Sequence, residues 1–186
     1  MQSPKDLFFP TFLRLFLIWT CLWVLLACSQ TTNVETALEE QILHFGLGSE
    51  PQNLDPHLAT SVAAHNILSA LLEGLVSEDP KTLKPKPGVA QSWTISEDGK
   101  IYTFKLRKNG QWSNGDPVTA HDFVYSFRRM LNPNLGAQYA SMLYQLKNAK
   151  SFHQGVKSWE HAKVGAKALD DHTLRLTLEN PIPYFL

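Results

Sequence analysis

Between Trp93 and Met130 the chain reads WTISEDGKIYTFKLRKNGQWSNGDPVTAHDFVYSFRRM, a stretch with little freedom in how it can fold. Glu97-Asp98-Gly99 is turn chemistry, because Asp and Gly tolerate the left-handed backbone of a tight hairpin. From Ile101 to Arg107 the residues alternate, with Tyr102, Phe104 and Leu106 on one face and Thr103, Lys105 and Arg107 on the other. A period of two predicts a half-buried strand. Asn109-Gly110 turns the chain again, Gln111-Trp112 makes a short return, and Asn114-Gly115-Asp116-Pro117 breaks it. Thr119, with Asp122 three residues on, predicts a capped helix start. Phe123, Phe127 and Met130 form that helix's apolar stripe, and Asn132-Pro133 stops it. Nothing in this unit offers a nucleophile or a metal cage.

On the N-terminal side, Gln41 to Leu47 is an apolar run of strand length, closed by the loop residues Ser49 to Asn53. Leu54-Asp55-Pro56-His57 is an extended or turn segment, because Asp precedes Pro, and Asp55 is expected to brace it. Ser61 to Leu72 predicts a helix with Ile67, Leu68, Leu71 and Leu72 on its apolar face. Gly74 is expected to end it, with a brief strand at Leu75-Val76. Lys81 to Pro87 reads as an exposed basic loop. Downstream, Asn134 to Lys150 has helical character along Met142, Leu143 and Leu146, and Gln154 to Lys163 reads as a polar loop carrying Trp159. Val164 to Asp171 and Thr173 to Leu178 predict a hairpin with Leu174, Leu176 and Leu178 on one face. Trp93 and Trp112 are expected to pack in the core or its wall.

The start of the chain is different in kind. Lys5 and Arg14 flank an apolar stretch, and Leu15 to Ala27 carries no charge. That stretch is shorter than the about twenty residues a stable membrane-spanning helix needs, and its charge and length pattern describes a secretory signal. Leu25-Leu26-Ala27-Cys28 resembles the lipobox of bacterial lipoproteins, which makes Cys28 the expected lipidated N-terminus of the mature chain. The alternative is an uncleaved anchor starting near Leu7. Residues 1–27 are thus read as a signal peptide and 28–40 as a polar, flexible tether. Either way the folded part lies outside the cytoplasm.

Composition closes several function classes. The 186 residues carry seventeen Lys+Arg and seventeen Asp+Glu, a formal charge of zero, so there is no electrostatic case for nucleic acid. Cys21 and Cys28 both precede the folded part, which therefore has no disulfide framework and no thiolate metal site. Asp55, His57 and His65 lack metal-ligand spacing, and Asp116 and His121 sit beside an Asp122 already assigned to a cap. No catalytic residue and no cofactor is expected: Gly-x-Ser-x-Gly and His-Glu-x-x-His are both absent.

Trp93, Asp98-Gly99-Lys100, Tyr102 to Lys108, Gly110, Trp112 to Ala120 and Asp122 to Ser126 together resemble the signature of a known family. This is the extracellular solute-binding family 5, the oligopeptide-binding (OppA-like) proteins of peptide ABC transporters. The likeness extends to Leu54-Asp55-Pro56-His57, Glu73-Gly74-Leu75, Val164 to Thr173 and Pro181-Ile182-Pro183-Tyr184-Phe185. It implies an α/β fold: part of the first lobe of a periplasmic-binding-protein-like (class II) fold, a mixed sheet with flanking helices. Relatives hold their ligand between two lobes, so residues 41–186 are expected to form a partial N-terminal lobe with the second lobe missing. The implied role is capture of oligopeptides at the periplasm or cell surface and delivery to an inner-membrane ABC permease, with the membrane reached through the lipid anchor.

The resemblance also places ligand contacts at Thr60, Ser61 and Val62, through the backbone, and at Tyr139 in the segment Tyr139-Ala140-Ser141. Main-chain pairing suits a receptor for peptides of many sequences, because side-chain identity then matters little. Read from the residues alone, Thr60 or Ser61 is equally a helix N-cap, and Tyr139 an ordinary half-buried tyrosine. Two other readings stand beside peptide capture. One is a truncated, non-binding relative or a surface lipoprotein that contacts another protein. The other is a hydrolase using His57, His65 or His121.

Overall fold

The computed structural model describes residues 40–186, together with Phe16, Trp19 and Ala37. Apart from those few positions, the expectations for the signal 1–27, the tether 28–40 and the lipidated Cys28 fall outside the described residues. Residues 47–186 form one compact unit, and residues 1–46 are a separate one. Among the described residues no helix is long and apolar enough to cross a membrane.

Residues 47–186 begin with helix α1 (Val62–Leu71) and the strands β1 (Val76–Glu78) and β2 (Pro85–Pro87). β3 (Ala90–Ile95), β4 (Ile101–Leu106) and helix α2 (Ala120–Met130) follow. Two 3-10 turns, at Pro133–Leu135 and Ala140–Gln145, lead to the short helices α3 (Ala149–His153) and α4 (Trp159–Ala162). The hairpin β5 (Ala166–Asp170) and β6 (Thr173–Thr177) comes last. The main sheet has the order β3-β4-β6-β5, while β1 and β2 pair by themselves. Every pairing among these strands is antiparallel. Both edge strands carry a register irregularity, between Ala90 and Ser92 in β3 and between Ala168 and Asp170 in β5. The result is the α/β class predicted above, sheets with flanking helices.

The alternation in β4 explains the core. Tyr102, Phe104 and Leu106 are buried, and across the strand pair Leu174 and Leu176 meet them from β6. Phe104 lies opposite Leu174 and Tyr102 opposite Leu176, so the two period-two patterns are in phase. The turn before β4 works as its residues predict. Asp98 accepts from the Lys100 N–H at 3.1 Å and from the Ser96 hydroxyl, and Gly99 takes φ 66°. Helix α2 closes the sheet with Phe123, Val124 and Phe127 against the core. Its first turn is held by Asp122, which accepts from the Thr119 N–H at 2.7 Å and the Thr119 hydroxyl at 2.9 Å. The Ala120 N–H donates to the Asp171 carbonyl at 2.8 Å, tying the helix start to the β5–β6 turn.

Five local expectations are corrected. Residues 42–47 form no strand and leave Leu43 and Phe45 exposed, since no described strand pairs with them. Helix α1 ends at Leu71 rather than Gly74: Leu72 turns extended, and its N–H still bonds the Leu68 carbonyl. The last three residues of the Lys81 to Pro87 loop are strand β2, registered on β1 despite its prolines, as suits an exposed edge. Asn134 to Lys150 is no continuous helix, because Gly136 takes the left-handed conformation and splits it into 3-10 turns. Trp159 opens α4 instead of sitting in a loop, packed edge-on against Phe152 with centroids 5.2 Å apart.

Candidate functional site

Helix α1 rests on the rest of the unit through small side chains. Ala63 and Ala64 are buried, 3% and 1% exposed, which brings its backbone close in and turns the larger residues outward. Ser61 caps it, its hydroxyl accepting from the Ala64 N–H at 3.2 Å. Val62, His65, Ser69 and Leu72 recur at spacings of three and four, so they form one open stripe. Tyr139 reaches the same region from the segment between the two 3-10 turns. Buried Ala137 and Ala140 hold the backbone on either side of it and leave the ring half out, 47% exposed.

These residues surround an open concavity of about 500 Å³. Thr60, Ser61, Val62 and Tyr139 all line it, with Ala59, His65, Leu68, Ser69 and Leu72 among the remaining wall. Among the described residues, no carbonyl accepts from the N–H of Thr60 or Ser61, and no N–H donates to the Thr60 carbonyl. The rim therefore offers unpaired main-chain donors and an acceptor beside an aromatic ring and an apolar floor. Such a surface suits an extended chain with amides of its own. Ser61 caps the helix through its side chain and also lines the concavity.

Behind the rim lies a polar cluster that joins the 55–57 turn to α2. Asp55 braces the turn by accepting from the His57 N–H at 3.0 Å. Arg129 forks onto it, Nη1 to Oδ1 at 2.8 Å and Nη2 to Oδ2 at 2.5 Å. The same Nη1 meets Nδ1 of His57, whose Nε2 lies 2.8 Å from the Ser126 hydroxyl. A guanidinium only donates, so Nδ1 must be the acceptor and Nε2 must carry the proton toward Ser126. The fork to Arg129 holds the Asp55 carboxyl down to about 2. Burial, aided by the nearby guanidinium, also lowers the His57 imidazole from its usual value.

Asp55, His57 and Ser126 have the composition of a hydrolytic triad but not its wiring. The carboxylate holds the His57 backbone rather than its ring, and Nδ1 faces a cation that opposes the imidazolium such chemistry needs. The His65 ring meets Ser69 Oγ at 3.4 Å, and His121 pairs with Asp171 at 3.5 Å on the surface. Among the described residues no cluster of three or more His, Cys, Asp or Glu could hold a metal. Trp112 is 45% exposed, whereas Trp93 packs against Phe104 with centroids 6.4 Å apart.

Sequence reasoning missed the concavity's floor and the fork. The stripe of His65, Ser69 and Leu72 was available from helical spacing once Val62 was placed on the rim. Arg129 had no such signal, because it meets Asp55 from 74 positions away.

Comparison with known proteins gives a consistent picture. Residues 84–186 match the family described as bacterial extracellular solute-binding proteins, family 5 Middle. The chain is 45% identical over 148 residues to the periplasmic oligopeptide-binding protein OppA of Haemophilus influenzae, covering 78% of this chain and 27% of that protein. It is 40% identical over 147 residues to the dipeptide-binding protein DppE of Bacillus subtilis, covering 79% of this chain and 26% of that one. A crystal structure of Haemophilus influenzae OppA in complex with RPPGFSPFR superposes with a TM-score of 0.69 at 46% identity, covering 74% of this chain and 27% of that chain. The chain thus spans only about 27% of the length of the curated relatives it matches first.

Proposed function

Because the chain belongs to the bacterial extracellular solute-binding proteins of family 5, we propose that it forms one wall of an extracytoplasmic receptor for oligopeptides. In this reading residues 47–186 belong to the N-terminal lobe of that receptor. The concavity takes an extended peptide by its main chain: Thr60, Ser61 and Val62 supply backbone groups, and Tyr139 lays its ring and hydroxyl against the ligand backbone. The captured peptide passes to an inner-membrane ABC permease. Residues 1–27 direct export, Cys28 carries the lipid anchor, and residues 28–40 hold the domain off the membrane. The role is binding and delivery, without covalent chemistry and without a cofactor.

One observation carries this reading. Two segments far apart in the sequence, 59–62 and Tyr139, line one open concavity and leave main-chain groups unpaired there. The naming of similar proteins for the oligopeptides and dipeptides they bind supports the same ligand class. A cleft buries most of its ligand between two walls, so a single wall should hold peptide weakly.

Calorimetric or thermal-shift titration with mixed tri- to pentapeptides tests capture. Binding in the millimolar range, weakened by Tyr139→Ala, is expected, and no shift at millimolar peptide would overturn the reading. The anchor has its own test. Cys28→Ala should abolish lipid labelling and release the chain from the membrane fraction; unchanged size and attachment would refute lipidation at Cys28.

A further inference from the structure

We propose that Arg129 is a positioning residue for the rim of the concavity, fixing through Asp55 and His57 where residues 59–62 present their main chain. This rests on the peptide-capture reading for its consequence but not for its geometry. The segment's local bonds are all short-range: the Leu58 and Ala59 N–H groups donate to the Asp55 carbonyl at 3.0 Å and 2.9 Å, and Ser61 caps its own helix. Such bonds shape the turn without saying where the turn sits. Among the described residues, the only long-range hydrogen bonds from residues 50–62 run from Asp55 and His57 to Arg129 and Ser126.

Helix α2, in turn, is fastened to the sheet by the Ala120 bond to Asp171 and by Phe123, Val124 and Phe127 on the core. Support therefore runs from sheet to α2, from α2 through the Arg129 guanidinium and the Ser126 hydroxyl to the turn, and from the turn to the rim. The fork matters because two parallel hydrogen bonds fix orientation as well as distance, which a single ammonium cannot do. The third contact, from Nη1 to His57 Nδ1, exists only while the imidazole is neutral.

The charged and titratable groups facing His57 are Asp55 in its own turn and Arg129 on α2, with Tyr125 of α2 beside Arg129. Asp55 favours a proton on the ring, whereas burial and Arg129 oppose it and prevail, lowering the imidazole below its ordinary 6.5. The latch is whole at neutral pH and loses its His57 contact only when the pH falls through the lowered value of the imidazole.

Amide hydrogen exchange on the 186-residue chain, corrected for intrinsic rates, tests this directly. Arg129→Met should speed exchange of the hydrogen-bonded amides within 57–64, those of His57, Leu58, Ala59 and Ala64, by about tenfold and leave those of β4 and β6 unchanged. Arg129→Lys, which keeps charge but not the fork, should recover only part of the protection. Lowering the pH from neutral until the imidazole takes up its proton, below its ordinary value, should loosen the same amides in the parent chain, and His57→Gln should abolish that step. Unchanged exchange at 57–64 in Arg129→Met would overturn the proposal, and so would a loosening shared equally by β4 and β6. Should that variant fail to fold, Ser126→Ala, which cuts only the His57 tie, must still loosen 57–64, and no change there counts against the latch.

Peptide titration of the same variants separates the two readings. Absence of binding in the parent chain sinks peptide capture and leaves the exchange result to judge the latch. Where the parent binds, Arg129→Met should bind about tenfold more weakly. Equal affinity despite a loosened rim would refute the positioning role.

Discussion

Leu174 and Leu71 are the same residue in the same chain, yet Leu174 is 0% exposed in the middle of β6 and Leu71 is 69% exposed at the end of α1. The sheet puts its apolar residues in phase across strands and covers them with α2. Helix α1 sets two alanines inward and turns Val62, Leu71 and Leu72 outward. In the sheet, shape is held by burial, which is strong and indifferent to pH. At the rim, shape is held by a cap, a turn, one guanidinium fork and the His57 tie to Ser126, contacts that are directional and few. Stability and surface presentation are thus assigned to different regions and different forces.

The contrast can be broken most forcefully from the sheet side. Phe104→Ala should cost about 3–5 kcal/mol, measured by urea unfolding, because it empties a fully enclosed site opposite Leu174. A cost near that of a surface change would mean the sheet is not where stability resides. Gly165→Ala is next. Its Cβ would collide with the Thr177 carbonyl oxygen and lie 2.9 Å from the Lys147 N. The Gly165 N–H donates to the Lys147 carbonyl and its carbonyl accepts from Thr177, so the strand cannot back away. About 1–3 kcal/mol is expected from thermal or urea unfolding.

The rim predicts a smaller, pH-dependent effect. The Asp55 carboxyl, held from 3.8 down to about 2, resists protonation more in the folded chain than in the unfolded one. Its contribution is complete above the unfolded value, shrinks as the pH falls toward about 2, and amounts to about 1 kcal/mol once solvent screening is allowed for. Parent and Asp55→Asn chains should therefore differ in urea midpoint at pH 6 and converge in strong acid; a constant gap would remove the fork from the ledger of stability. The smallest effect is expected for Leu71→Gln, within about 0.5 kcal/mol, because the side chain already meets water. A large loss there would show that α1 is packed like the sheet.

How legible these features were depended on the range of the interactions behind them. Strand β4, the β5–β6 hairpin and the Thr119–Asp122 cap each express a pattern contained within a few residues. Propensity failed where a partner or one backbone angle decided the outcome. Residues 42–47 have strand composition but no described strand beside them, and Gly136 broke a segment whose side chains favoured helix. The candidate site divided in the same way. Thr60, Ser61, Val62 and Tyr139 came from family likeness, and the stripe from Val62 to Leu72 follows helical spacing. Arg129 looked like one more cation at the end of an amphipathic helix, and only folding shows that it answers to Asp55.

The register irregularities at Ala90–Ser92 and Ala168–Asp170 also bear on how this chain can meet an extended guest. Each interrupts the even ladder of amides that a visiting strand would need along an outer border of the main sheet. Neighbouring copies are thereby denied a continuous rail for stacking border to border. The lip of α1 differs from both borders: among the described residues the N–H groups of Thr60 and Ser61 find no carbonyl there, and they stand beside an open concavity instead of along a ladder.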